Sequence, residues 1–318
     1  MLPRCAMNHH ATSRAIRQTA YRLAARLRFG LGGKPALRRH AQHLLKAVGA
    51  GVAYAAVVEP ALLETTQIEI PVRGLPRSLD GYTILHLTDL HYNVTAGVSF
   101  LRRVVQKSNA LDADMVALTG DFIAKNPRNL DRCFSLLSDL RAPDGCWVVR
   151  GNHDYKASLK DMQRACRDAG MRLLENEHAI IRPHRTRATG APAEALTIAG
   201  VGDIWEGLCL PGRALQGAPP DNPTLLLSHN PQVVKVLPPS SRVDLVLSGH
   251  THGGQVRPLG RPLRFLSDGS TQFVSGLVPH EAAPVYISRG VGTSSLRLRW
   301  NCRPEIVLVR LVTQRPTP

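Results

Sequence analysis

The chain has no acidic residue between Met1 and Val58; Glu59 is the first. An arm charged with one sign only has no internal counter-charge and points to an anionic surface as its neighbour. Cys-x-x-Cys spacing is also missing. The six cysteines (Cys5, Cys133, Cys146, Cys166, Cys209 and Cys302) are scattered, which excludes a thiolate zinc site and gives no disulfide framework. They read as small buried residues of a domain kept in a reducing compartment. No uninterrupted apolar run reaches the ~20 residues of a spanning helix. Ala47 to Val58 is uncharged, but Lys46 and Glu59-Pro60 bound it. There is no zinc finger and no RNA-binding aromatic motif, and no internal repeat.

The positive charge is concentrated. The chain carries 40 basic and 24 acidic residues, a net +16. Arg4, Arg14, Arg17, Arg22, Arg26, Arg28, Lys34, Arg38, Arg39 and Lys46 all lie in the arm. Ile16, Ala20, Leu23 and Leu27 line one stripe between the arginines, so a basic amphipathic helix is expected, lying on an anionic membrane. Leu44, Leu45, Leu62 and Leu63 extend the apolar stretch that follows. Membrane attachment at the cytoplasmic face is the expectation. Export is the alternative, since Arg38-Arg39 precedes the apolar stretch, although His40-Ala41-Gln42 fits a twin-arginine signal poorly and no small-residue cleavage site stands out. Past the arm the basic excess is modest, which argues against nucleic acid as the main substrate.

The chemistry lies further on. Ser248-Gly249-His250-Thr251-His252-Gly253-Gly254-Gln255 places two imidazoles in a glycine-bordered turn after an apolar run. In a tight turn both can converge on one point. Four more segments have the same form: Leu87-Thr88-Asp89-Leu90-His91, Thr119-Gly120-Asp121, Gly151-Asn152-His153-Asp154 and Ser228-His229-Asn230. Each follows a short apolar, strand-forming run. Polar clusters at the carboxyl ends of buried strands are where α/β sheets carry their ligand loops. The candidate ligands are Asp89, His91, Asp121, Asn152, His229, His250 and His252. Carboxylate, imidazole and amide donors suit Mn, Fe or Zn. Seven ligands are too many for one open catalytic ion and suit two, which together polarise a phosphoryl oxygen and generate a hydroxide nucleophile near neutral pH.

In order and spacing these segments resemble the calcineurin-like metallophosphoesterases, over roughly Thr83 to Glu305. The resemblance implies that Asp89, His91 and His252 hold one metal, that Asn152, His229 and His250 hold the other, and that Asp121 bridges them. It implies that His153 contacts the phosphate and protonates the leaving group; Asp154 completes the motif without a role of its own. It also implies a four-layer α-β-β-α sandwich of two mixed sheets. Gly97–Leu111, Leu130–Leu140 and Leu159–Ala169 have helical periodicity, and strands are expected at Leu196–Val201, Val285–Ser288 and Ile306–Leu311. Residues 1–64 are expected to form the basic arm and 65–318 the catalytic domain. His86, His178, His184 and His280 match no motif, nor do His9, His10, His40 and His43 of the arm.

Arg289-Gly290-Val291-Gly292-Thr293-Ser294 and Asn301-Cys302-Arg303-Pro304-Glu305-Ile306 resemble a bacterial, membrane-associated branch of the family that includes UDP-2,3-diacylglucosamine pyrophosphate hydrolases. A phosphorylated small-molecule or lipid-linked substrate is therefore expected. Gly120-Asp121 continues Phe122-Ile123-Ala124-Lys125 and departs from the Gly-Asp-x-x-Asp-Arg-Gly of protein phosphatases. A phosphomonoesterase, a nuclease or an inactive membrane-peripheral binding protein remain as alternatives. Gln255 to Pro284 is expected at the mouth of the site, with Arg257, Arg261, Arg264, Phe265 and Phe273 as residues that suit a phosphate bearing an apolar or sugar group.

Overall fold

A computed structural model describes residues 35–93, 96–184, 194–263, 272–294 and 297–314. The expected amphipathic helix of Ile16 to Leu27, most of the Pro183–Ala195 loop, and Arg264 with Phe265 lie outside the described residues. The chain divides into two compact units, one ending at Ala56 and the other beginning at Val57.

In the first unit, Pro35–Ala53 forms helix α1. Leu44, Val48 and Val52 are exposed on it at four-residue intervals, so they share one helix face. Among the described residues no helix is long and apolar enough to cross a membrane.

The second unit holds two six-stranded sheets. The first contains β1 (Glu64–Val72), β2 (Thr83–Leu87), β3 (Met115–Thr119), β4 (Cys146–Val149), β5 (Arg172–Leu173) and β12 (Glu305–Thr313), in the order β1-β12-β2-β3-β4-β5. The second contains β6 (Glu177–Ile181), β7 (Leu196–Gly200), β8 (Thr224–Leu227), β9 (Leu245–Ser248), β10 (Gly276–Val278) and β11 (Val285–Ile287), in the order β10-β11-β9-β8-β7-β6. β2, β3, β4 and β5 run parallel, as do β7, β8, β9 and β11. β12 is antiparallel to β2 and parallel to β1, so both sheets are mixed.

Period-two alternation explains the layers. In β2, Ile84 faces the inter-sheet core while Leu85 and Leu87 face the other way. The inter-sheet core joins Ile84, Met115, Ala117 and Val149 of the first sheet to Ile198, Leu225, Leu227 and Leu247 of the second. Outside the first sheet pack α2 (Val98–Asn109), α3 (Leu130–Leu137) and α4 (Leu159–Asp168). α2 buries Leu101, Val104, Val105 and Ser108, an i, i+3, i+4, i+7 face. Ser158 caps α4 by accepting from the Asp161 amide at 3.1 Å. Outside the second sheet lie the turn Pro231–Lys235 and the short α5 (Pro211–Ala214). The four layers are helix, sheet, sheet, helix, as the resemblance implies. β1, β5, β6 and β10 are additional to the strands read from sequence. Cys133, Cys146, Cys166 and Cys302 are buried free thiols.

An ion pair centred on Glu305 links the sheets. Glu305, at the start of β12, accepts from Arg289 Nη2 at 2.9 Å, from the Arg289 amide at 2.9 Å and from Thr66 Oγ1 of β1 at 2.6 Å. Arg289 follows β11 in the other sheet. Burial works against ionising Glu305, but Arg289 outweighs it and holds the carboxyl below its usual range. Arg289→Met should cost about 3 kcal/mol in urea denaturation, because it strands a buried carboxylate, and Arg289→Met with Glu305→Met should recover part of that. A double-variant loss equal to the sum of the two single-variant losses would show that the pair is not coupled.

Candidate metal centre

The five motif segments meet in the seam between the sheets. Asp89 and His91 follow β2, Asp121 follows β3, and Asn152 and His153 follow β4. From the second sheet, His229 follows β8, while His250 and His252 follow β9. All seven candidate ligands form one chain of close contacts. Asp89 Oδ1 lies 3.1 Å from His252 Nε2, and His252 Nε2 lies 3.0 Å from His91 Nε2. His91 Nε2 and His229 Nε2 each lie 3.4 Å from Asp121 Oδ2, which stands between them. His229 Nε2 is 3.2 Å from His250 Nδ1, itself 3.2 Å from Asn152 Oδ1. Asp89, His91, Asp121, His229 and His252 are buried, while Asn152, His153 and His250 are half-buried. The cluster therefore opens to solvent at Asn152, His153 and His250.

The turns that carry these groups are bent unusually. Asp89, His91, Asp121, His250 and His252 have φ of 54°, 42°, 57°, 73° and 52°. Non-glycine residues seldom adopt this left-handed region, and each such residue costs about 1–3 kcal/mol. The alternating geometry of a strand would send His250 and His252 to opposite sides; left-handed backbone on both lets them converge. Gly249 makes room for the close approach, because a Cβ there would collide with Thr88 Oγ1 and Asp89 Oδ2. The His250 amide then donates to Asp89 Oδ2 at 2.9 Å.

Asp154 has a role that the sequence left open. Its Oδ2 accepts from the Asp121 and Gly151 amides at 2.8 and 2.9 Å. Its Oδ1 accepts from the Phe122 and Ile123 amides at 2.9 and 3.2 Å. One fully buried carboxylate thus ties the turn after β3 to the turn after β4. Burial and the Asp121 charge push its carboxyl up to about 7, and the amide donors pull it back. His153 is held by the same two turns. Its amide donates to Asp121 Oδ1 at 2.9 Å, and its Nδ1 lies 2.6 Å from Ala124 O. Lys156 Nζ donates to that same carbonyl at 2.7 Å.

The donor set fits a divalent cation. Burial works against ionising Asp121, yet His229 beside it holds the carboxyl well below the usual range. Asp89 is also lowered, by His252, against the same burial. Burial takes His91 down to about 3, so its imidazole is neutral. His229 Nδ1 donates to Thr119 O at 2.8 Å, which turns Nε2 toward Asp121. Asp89 Oδ1 is buried without a hydrogen-bond partner, although His252 Nε2 is close. Lone pairs outnumber protons where His91, His252 and the two carboxylates meet. Within the cluster, Asp89–His91–His252, His91–Asp121–His153 and Asp89–Asp121–His229 are each grouped so that their ligand atoms lie within 4.8 Å of one another.

Residues 82–254 match the calcineurin-like phosphoesterase family. The chain belongs to the calcineurin-like metallophosphoesterases. Members of this family use divalent metals, and the clustered Asp and His donors are candidates to hold them. The metallophosphoesterase is 32% identical to phosphodiesterase YaeI of Escherichia coli K12 over 240 residues, 73% of this chain and 82% of that protein. It is 26% identical to UDP-2,3-diacylglucosamine pyrophosphatase LpxG of Chlamydia muridarum over 302 residues, 80% of this chain and 90% of the other. It is 33% identical to a transmembrane protein with metallophosphoesterase domain from Danio rerio over 259 residues, 78% of this chain. It spans only 57% of that zebrafish protein's length.

Sequence reasoning missed three parts of the site. Ala124 acts through its backbone carbonyl, which no side-chain pattern reveals. Arg299 is fully buried and donates to Arg289 O, Gly290 O and Cys302 O at 2.8, 2.9 and 3.0 Å, and also to Gly292 O. It fixes the segment whose Val291 and Gly292 amides bond Thr88 O and Asp89 O at 3.0 and 2.7 Å. Trp205, edge-on to His250, lay in no motif. Of the residues expected at the mouth, Arg257 and Arg261 are described, half-buried and exposed respectively; Phe273 is instead buried in the core outside the second sheet.

Asp154→Asn should lower divalent-metal affinity about 10–100-fold, because an amide replaces two of the four amide-accepting positions behind Asp121 and Asn152. Metal titration followed by calorimetry checks this. Unchanged affinity with a lowered melting temperature would confine Asp154 to the fold.

Proposed function

We propose that this chain hydrolyses phosphodiester or pyrophosphate bonds using two divalent ions, Mn, Fe or Zn. The observation that carries the reading is Asp121 Oδ2, 3.4 Å from both His91 Nε2 and His229 Nε2. One carboxylate oxygen standing between two imidazole groups is what a bridging ligand needs. On this reading Asp89, His91 and His252 hold one ion, Asn152, His229 and His250 hold the other, and Asp121 belongs to both. Ions held there would polarise a phosphoryl oxygen and activate water at neutral pH.

The protein's own groups do the rest. Asp89 and Asp121 remain ionised and favour cation binding. His153 Nδ1 is engaged by Ala124 O at 2.6 Å, so Nε2 is the ring nitrogen left to face the leaving oxygen, and it supplies a proton there when the ring is an imidazolium. A ring nitrogen of His153 lies within 4.8 Å of donor atoms of His91 and Asp121, which supports a role for the ring at the reacting end of the site. Lys156 adds a positive charge beside it, 3.0 Å from Nδ1. That charge favours an anionic phosphoryl group in the mouth.

The relatives named a phosphodiesterase and a UDP-2,3-diacylglucosamine pyrophosphatase support a diester or pyrophosphate substrate, lipid-linked or a nucleotide sugar. The arm of residues 1–64, free of acidic residues as far as Val58, supports attachment of the catalytic domain, residues 65–318, to the cytoplasmic face of a membrane. The exposed stripe of Leu44, Val48 and Val52 on α1 supports the same reading.

With added Mn²⁺ the chain should cleave bis(p-nitrophenyl) phosphate, and Asp121→Ala should abolish cleavage. His153→Ala should keep its metal content and lose turnover by about 10²–10⁴. Turnover equal to wild type would remove His153 from the reaction. Deleting residues 1–60 should shift the chain from the membrane to the soluble fraction on cell fractionation; an unchanged membrane-bound fraction would refute the anchor.

A further inference from the structure

Trp205 is 53% exposed, yet its indole stands edge-on to His250, with ring centroids 4.3 Å apart and planes at 83°. Such exposure needs a reason, because apolar area left in water at a site mouth forfeits stability. The reason is not the turn itself. Trp205 N and Glu206 N donate to Asp203 Oδ1 at 2.8 and 3.1 Å, and Gly207 N donates to Asp203 O at 3.0 Å. Asp203 N donates in turn to the Tyr155 hydroxyl oxygen at 3.0 Å. All four bonds are made by backbone amides, so the turn keeps its shape without the indole. The result is a rigidly mounted aromatic wall beside a half-buried candidate ligand, at the open end of the cluster.

The indole itself defines what the wall accepts: an exposed aromatic face suits an uncharged apolar or ring-shaped group. His153, the proposed proton donor to the leaving oxygen, stacks edge-on against His91 at 4.9 Å, not against His250. The group that meets Trp205 is then the other substituent on phosphorus, the one retained after cleavage.

We propose that Trp205 is a specificity-determining residue, its indole packing against an uncharged, apolar or ring-shaped ester substituent that stays on phosphorus. This rests on the hydrolase reading above and deepens it: the preferred substrates are diesters with such a retained group.

The test compares two substrates that share p-nitrophenolate as leaving group, bis(p-nitrophenyl) phosphate and p-nitrophenyl methyl phosphate, on the full-length chain with Mn²⁺. In the wild type the aryl diester should be preferred in kcat/KM. Trp205→Ala should cut that preference about tenfold, mainly through KM, and Trp205→Phe should retain most of it. Bound metal, measured by elemental analysis, should match wild type in both variants. If Trp205→Ala slows both substrates equally, or leaves the ratio unchanged, the assignment of Trp205 is wrong while the hydrolase reading stands. If the metal-loaded wild type cleaves neither diester, the hydrolase reading falls and takes this proposal with it.

Discussion

Left-handed backbone at the ligand positions is the constraint on which the site depends. Asp89, His91, Asp121, His250 and His252 all have positive φ. At about 1–3 kcal/mol each, their combined strain rivals the roughly 5–15 kcal/mol net stability of a folded domain. Something must hold these turns against relaxation. Asp154 does so by accepting four hydrogen bonds from backbone amides that span two strand ends, each worth about 0.5–1.5 kcal/mol and more when the carboxyl is ionised. On the opposite side, Arg299 grips the carbonyls of the segment that bonds Thr88 O and Asp89 O. One buried carboxyl group and one buried guanidinium therefore brace the ligand turns from behind, and neither needs to touch a substrate.

The two sheets explain why the ligands arrive together. Parallel strands put their carboxyl ends on one edge, and packing two such sheets face to face brings two edges into one seam. Asp89, His91, Asp121 and Asn152 come from one sheet, and His229, His250 and His252 from the other. The Arg289–Glu305 pair joins the same two sheets near that seam. Relative displacement of the sheets would separate ligands, so the inter-sheet core of Ile84, Met115, Leu225 and Leu247 also sets donor spacing.

Much of this was legible in the sequence because the chemistry is carried by side chains at strand ends. The apolar runs before Asp89, Asp121, Asn152, His229 and His250 are all strands, and the periodic stretches after Gly97, Asn129 and Ser158 are helices. What was not legible acts through backbone or through distance. Ala124 contributes a carbonyl, which is the same for every residue type. β5 and β10 are two and three residues long, too short to show a period. β1 alternates Gln67, Ile68, Glu69 and Ile70, but the alternation is short and Pro71 interrupts it, so it was not read as a strand. Phe273 was assigned to the mouth by its place in sequence, yet it is buried in the core outside the second sheet, because distance from a motif along the chain says little about which way a side chain turns.

The position of β12 carries a consequence for how the molecule is built. This strand lies inside the first sheet, between β1 and β2, and pairs Glu64 with Glu305. Chain order and spatial order are opposed here: the first strand of the sheet finds its neighbour only after every other strand has been made. During synthesis β1 and the outer edge of β2 stay unpaired until residue 305 has emerged from the ribosome. Closing so long a loop is slow, and unpaired edges are open to aggregation in the meantime. Gly290, whose carbonyl accepts from Glu305 N at 3.0 Å, settles beside Asp89 in the same late step. The sheet and the strained ligand turn are then completed together, so a chain that has not finished folding has not finished its site.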